Sequence, residues 1–229
     1  MQAPSLAALL RVRPGLTALI GGGGKTTLLY ALAEELHSRG SVIVASSTKI
    51  RRPEHLPVAD PATPEALQAA LRSASCLCLG RPWPEDKLAA PSLGFSELVQ
   101  AADYVLVEAD GAKGLPAKAH APHEPVIPAE AERVILVLGA DAFDAPISQV
   151  CHRPERFAAL AGTALDAPLT PARWARVLQA EGYGDMIYVN KCETAADYAH
   201  AAALAALLSR PVLAGSLRDG VLRRMKKEQ

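Results

Sequence analysis

Aromatic residues are scarce, with three Phe, two Trp and five Tyr among 229 residues. A core must therefore be built from Ala, Val, Leu and Ile, and few rings are on hand to stack nucleobases. Net charge is missing too, since 24 Lys and Arg are set against 24 Asp and Glu. No chain-wide basic field gathers phosphate backbones or anionic lipid, so neither nucleic acid nor a membrane is an expected partner. The four cysteines, Cys76, Cys78, Cys151 and Cys192, include no Cys-x-x-Cys pair. A chain of this length needs no disulfide staples, and a reducing cytoplasm is the expected setting. No apolar run approaches the roughly 18 residues of a membrane span, and Met1-Gln-Ala-Pro-Ser-Leu lacks the charged flank and apolar stretch of a signal peptide. Internal repeats and low-complexity tracts are absent, and the length suits one domain over residues 1–229.

What is present is a series of short apolar runs with helical stretches between them. Leu16 to Ile20, Val42 to Ala45, Cys76 to Leu79, Tyr104 to Val107, Val134 to Leu138, Ile187 to Val189 and Val212 to Ala214 read as strands. Most are continuously apolar, as parallel strands covered on both faces are, so the predicted fold is α/β: a doubly wound, mostly parallel sheet flanked by helices. The first helix opens near Lys25, carries Leu28, Leu29, Leu32 and Leu36 along one side, and is expected to stop at Gly40 as a left-handed cap. Further helices are predicted over Pro64 to Ser73, Pro154 to Leu160, Pro171 to Glu181 and Ala195 to Leu208, several with Pro in the first turn. Residues 111–128 hold four prolines, two lysines and two histidines with little periodicity, which predicts a long ordered functional loop.

Directly after the first strand comes Gly21-Gly22-Gly23-Gly24-Lys25-Thr26-Thr27, opening the first helix. Consecutive glycine N–H groups can converge on an anion with no Cβ in the way, and the helix start adds partial positive charge. Lys25 can reach the β/γ oxygens and Thr26 can ligate Mg²⁺. The P-loop pattern G-x-x-x-x-G-K-[ST] wants its first glycine where this chain has Leu19, so the loop is shorter or differently wound.

Strand Tyr104 to Val107 runs into Glu108-Ala-Asp110-Gly111, setting two acids at the carboxyl edge of the sheet, where open α/β folds bind ligands. Either Glu108 or Asp110 can hold a Mg²⁺-bound water opposite Thr26, and the sequence does not choose between them. Ser46-Ser47-Thr48-Lys49 leaves the second strand at the same edge, where the Thr48 hydroxyl can serve the γ-phosphate or the attacking water. Asn190-Lys191-Cys192-Glu193 resembles the N-K-x-D base motif with Glu at its last place. A carboxylate there can accept from both N1–H and the 2-amino group of guanine, a donor pair adenine lacks, although GTP and ATP both stay open. Gly215-Ser216-Leu217 sits where such folds set a second base-contacting loop. His120, His123 and Glu124 are candidates for a metal or a substrate anion, and Cys151-His152-Arg153 is a further polar cluster.

Taken together, Gly-Gly-Gly-Gly-Lys-Thr-Thr at 21–27, Ser-Ser-Thr-Lys-Ile at 46–50, Val-Glu-Ala-Asp-Gly-Ala-Lys-Gly at 107–114, His-Glu-Pro-Val-Ile-Pro at 123–128 and Asn-Lys-Cys-Glu at 190–193 resemble the YqeC family. The resemblance implies a P-loop NTPase-like protein that assists maturation of selenium-dependent molybdenum hydroxylases. It also implies partners, namely a nucleotide and a molybdenum hydroxylase or its cofactor-maturation proteins. The related dimeric P-loop class carries an extra lysine in its loop, at the place occupied here by Ile20, so a partner-supplied lysine of that kind is absent. The expected function is thus a Mg²⁺-dependent nucleoside triphosphatase. Two rivals use the same cradle: a small-molecule kinase or ATP-dependent ligase, and a nucleotide sensor that never turns over.

Overall fold

The structure is a computed structural model that describes residues 5–225. The chain forms two compact units. The first takes residues up to Leu19, Thr26–Asp110 and Val126–Arg133; the second takes Ile20–Lys25, Gly111–Pro125 and the chain from Val134 onward.

The first unit follows the chain through α1 (Leu6–Leu9), β1 (Gly15–Gly21), α2 (Lys25–Leu36), β2 (Val42–Ser46), β3 (Lys49–Arg51), β4 (Val58–Ala59), α3 (Pro64–Ser73), β5 (Cys76–Leu79), β6 (Arg81–Trp83), β7 (Lys87–Ala89), α4 (Phe95–Ala101) and β8 (Tyr104–Glu108). The end of β1 and the first residue of α2 count with the second unit. Its main strands are ordered β4-β5-β2-β8-β1 and all run parallel. β2 is paired on both edges and all five of its residues are buried, which explains why Val42–Ala45 is an unbroken apolar run.

The second unit carries β9 (Ala117–Lys118), β10 (Ala131–Gly139, whose first three residues count with the first unit), α5 (Ile147–Val150), β11 (Cys151–His152), α6 (Pro154–Ala161), α7 (Pro171–Glu181), β12 (Met186–Asn190), α8 (Ala195–Ala206), β13 (Val212–Ser216) and β14 (Val221–Arg224). Here the order is β10-β12-β13-β14, parallel except for β14, and β9 pairs with β11. The fold class is α/β, a mostly parallel sheet flanked by helices.

Side-chain chemistry explains the helix starts. Thr63 and Thr170 accept from the N–H groups of Ala66 and Arg173, and Pro follows at once where a missing N–H costs nothing. Leu28, Leu29, Leu32 and Leu36 are all buried along α2. The expectation for Gly40 needs correction: α2 ends at Leu36, and the backbone at Gly40 is not left-handed. A Cβ at Gly40 would lie 2.6 Å from Asp103 Oδ2, which accepts from both the N–H and the hydroxyl of Ser41, so a larger residue there would displace that carboxylate. Among the described residues, no helix is long and apolar enough to cross a membrane.

Candidate functional site

The glycine loop is part of the second unit and its shape explains its sequence. Leu19, the residue that departs from the P-loop pattern, is buried inside β1 in register with Glu108, so the loop proper begins at Gly21. Gly21, Gly23 and Gly24 have φ of +95°, +69° and +108°, values that L side chains rarely adopt. Space is closed as well as torsion: a Cβ on Gly22 would meet the carbonyl oxygens of Leu115 and Pro116 at 2.6 and 2.7 Å, and one on Gly23 would meet Gly139 N at 2.2 Å.

Not all four glycine amides face an anion. Gly22 N–H donates to Val137 O at 2.9 Å and Gly23 N–H to Leu115 O at 3.2 Å. These bonds tie the loop to β10 and to the segment before β9, so the Gly22 and Gly23 N–H groups are committed to the protein's own backbone. Lys25 is 5% exposed and its Nζ donates to Gly21 O at 2.6 Å. The loop thus holds its own ammonium over its own backbone.

Asn190, at the end of β12, grips the same loop. Its Nδ2 donates to Gly23 O at 2.9 Å, while its Oδ1 accepts from Tyr188 Oη at 3.1 Å and Leu217 N at 3.4 Å. Cys192 N–H donates to Gly215 O at 3.0 Å, so the two sequence-predicted base loops are joined to each other. Lys191 has φ +62° and its Nζ donates to Asp141 Oδ2 at 2.6 Å, a partner no sequence spacing announces. Glu193 is different: its side chain is 45% exposed, with Arg218 4.0 Å away, so it lacks the desolvated setting that sharp base discrimination needs.

In the first unit, Thr26 Oγ1 donates to Glu108 Oε2 at 2.7 Å, an ordinary length for a hydroxyl donor. Two hard oxygen donors are thereby paired, the chemistry Mg²⁺ takes. Asp110 is fully buried two residues further on. Thr27, by contrast, is exposed. The Ser46 hydroxyl donates to the Glu108 carbonyl at 2.8 Å, Ser47 N–H donates to the same oxygen at 3.1 Å, and Thr48 N–H donates back to Ser46 Oγ at 3.0 Å. Thr48 Oγ1 lies 3.3 Å from Ser46 Oγ. The segment after β2 is therefore fastened to the carboxyl end of β8, as their register pair Ser46 and Glu108 requires.

The predicted loop at 111–128 contains β9 and a buried charge cluster. The Lys118 side chain is 0% exposed, pairs with Glu124 at 3.0 Å and donates to Gly111 O at 2.5 Å; Arg153 also binds Glu124. Burial alone would raise the Glu124 carboxyl, but Lys118, the Ala121 amide and Arg153 outweigh it and hold it below the ordinary carboxylate range. His120 pairs with Glu181 at 2.8 Å through Nδ1. His120 and Glu124 thus have protein partners, His123 is exposed, and among the described residues no group of three or more His, Cys, Asp or Glu could hold a metal ion. Cys151-His152-Arg153 is read as β11 and the turn into α6, with His152 pushed down by desolvation and then by Arg153, Lys118 and Lys113.

Comparison with known proteins bears on these features. A family model described as "YqeC protein" matches residues 17–155. A protein of Escherichia coli (strain K12) described as "Uncharacterized protein YqeC" is 36% identical over 168 residues, covering 69% of this chain and 64% of that relative. The match thus spans less than two thirds of the relative's length. Among solved structures, the signal recognition particle 54 kDa protein from Aeropyrum pernix K1 in complex with GDP is similar at 18% identity and a TM-score of 0.40, over 93% of this chain and 44% of that one.

Proposed function

The chain belongs to the YqeC protein family, and from that premise we propose that it is a Mg²⁺-dependent nucleoside triphosphatase, acting as an accessory factor in maturation of selenium-dependent molybdenum hydroxylases. The observation that carries the nucleotide reading is the glycine loop at the start of α2, with Lys25 at its end and the Thr26 hydroxyl on Glu108. The accessory role rests on the family resemblance. Four free cysteines agree with a reducing cytoplasm as its setting.

In this reading, the amides of Gly24 and the first turn of α2 receive phosphate oxygens, and Lys25 exchanges the Gly21 carbonyl for a phosphoryl oxygen. The ammonium then stabilises charge that develops during transfer. Thr26 and Glu108 are the residues that would hold Mg²⁺, directly or through its water; when bound, the ion supplies charge neutralisation at the phosphates. Asp110, fully buried two residues after Glu108, is the second candidate acid. The Thr48 hydroxyl orients the attacking water, Lys191 and Asn190 shape the base end, and Glu193 contacts the base edge from solvent.

Calorimetry with ATP and with GTP in the presence of Mg²⁺, followed by phosphate release, tests the proposal. Wild type should bind one of them and release phosphate, while Lys25→Ala and Thr26→Ala should lose tight binding and keep the fold. Absence of binding by wild type, or undiminished binding by both variants, overturns it.

A further inference from the structure

β3, β7 and β6 form a small antiparallel sheet, in that order, within the first unit. Register sets two rows across it: Lys49, Ala89 and Arg81 in one, Arg51, Lys87 and Trp83 in the next. Side chains alternate along a strand, so both rows share one face while Ile50 and Leu88 lie on the other. Ile50 and Leu88 are buried, which makes that second face the packed one. On the first face Ala89 is buried, but Lys49, Arg51 and Arg81 are exposed and Trp83 is 46% exposed, whereas the only other tryptophan, Trp174, is fully buried.

Open sheet faces usually mix both signs of charge. This one presents four cations and an indole, and among the described residues only Lys87 has an ion pair, with Glu85 of the adjoining turn. Lys49 Nζ reaches across the small Ala89 to lie 3.9 Å from the centre of the Trp83 ring. An ammonium in that position fixes the indole orientation and leaves part of the ring uncovered. Such a face complements a ligand with two features: a flat ring to stack on the indole, and oxyanions for Arg51, Arg81 and Lys49.

We infer that this face binds a small molecule that carries a flat heteroaromatic ring and a phosphate group, at a site separate from the phosphate loop. Its size sets the scale of the ligand. Three strands about 4.8 Å apart and two rows about 7 Å apart give room for about one nucleotide unit. The zero net charge supplies no wider field for a polymer. Location agrees, because β3 begins at the residue after Thr48, on the segment fastened to Glu108. The ligand is then the second substrate or the carried cofactor component beside the nucleotide reading above, although its binding does not depend on that reading.

Flavin mononucleotide is a suitable probe because riboflavin is the same ring without phosphate. Flavin emission and anisotropy are followed as protein is added, with inorganic phosphate as competitor. The expected result is quenching with flavin mononucleotide bound at least about tenfold more tightly than riboflavin, and weakened competitively by phosphate. Trp83→Ala and Arg81→Ala should each lose about tenfold or more, and Trp83→Phe should retain most of the affinity. Lys25→Ala should bind the probe as wild type does, so failure of nucleotide binding at the loop leaves this readout intact. No flavin binding, equal binding of the two flavins, or indifference to Trp83→Ala overturns the inference. A labelled single-stranded oligoribonucleotide that binds far more tightly, with steep salt dependence, also overturns it in favour of nucleic acid.

Discussion

Replacing Asn190 with alanine separates loop bracing from base reading. The side chain is 5% exposed and makes the bonds to Gly23 O and Tyr188 Oη at ordinary lengths, with a longer one to Leu217 N. Alanine leaves the Gly23 carbonyl and the Tyr188 hydroxyl without these partners, and each unsatisfied buried group costs about 1–3 kcal/mol. The weaker Leu217 bond adds little, so the expected loss is about 2–6 kcal/mol, a large share of the total stability of an ordinary domain at about 5–15 kcal/mol. Urea denaturation reads this directly, provided wild type and variant share one m-value. Nucleotide affinity should fall for ATP and GTP alike, because the damage is to the loop. Tyr188→Phe removes one end of a shared bond, so its effect and that of Asn190→Ala should add to more than the double variant shows. A change below about 0.5 kcal/mol with unaltered affinity for both nucleotides would refute the bracing role.

Other outcomes follow from the same geometry. Gly23→Ala, with its Cβ 2.2 Å from Gly139 N and φ +69°, should cost more than about 2 kcal/mol and abolish nucleotide binding, while Gly111→Ala, whose Cβ meets nothing within 4 Å, should be nearly neutral by thermal melting. Glu108→Gln should shift the Mg²⁺ dependence of turnover more than nucleotide affinity, which a Mg²⁺ titration of phosphate release will show. Acid should destabilise in two stages. His152 and Glu124 both have folded pKa values below their unfolded ones, so their stabilising contributions are complete above about pH 6.5 and about pH 4.5 and fade as pH falls through the folded values. Melting temperature against pH should show both, and Glu124→Gln should flatten the lower one. Burial pushes the Cys78, Cys151 and Cys192 thiols up to about 12 and Cys76 to about 11, so native protein at pH 8 should react slowly with iodoacetamide, with half-buried Cys76 labelled first by mass spectrometry.

Much of the fold is legible because its main strands are continuous apolar runs and two of its helices, α3 and α7, open on Pro with a Thr before it. Pro64–Ser73 and Pro171–Glu181 form with the predicted bounds. The small sheet of β3, β6 and β7 escapes such reading, since three-residue strands carry too little periodicity and Pro82 sits inside one of them. Gly-Gly-Gly-Gly-Lys-Thr-Thr announces the glycine loop that opens α2, but not which of its amides the fold engages. That is decided by Val137 and Leu115, whose carbonyls contribute backbone and no side-chain signal. Glu181 as the partner of His120 is invisible for a similar reason: 61 positions separate them and only the fold brings them together.

The bracing of the loop also orders events during synthesis. β1 pairs with β8, which leaves the ribosome only after β2 through α4 have been made. Leu115, Val137 and then Asn190, the residues that hold Gly22 and Gly23, emerge later still. The segment translated among the first is thus among the last to reach its working shape, and a nascent chain that ends before β12 presents a glycine turn whose Gly23 carbonyl has no Asn190 to grip it. Under the proposed function, nucleotide capture is then a property of the finished chain, and nucleotide stabilises complete molecules over partial ones.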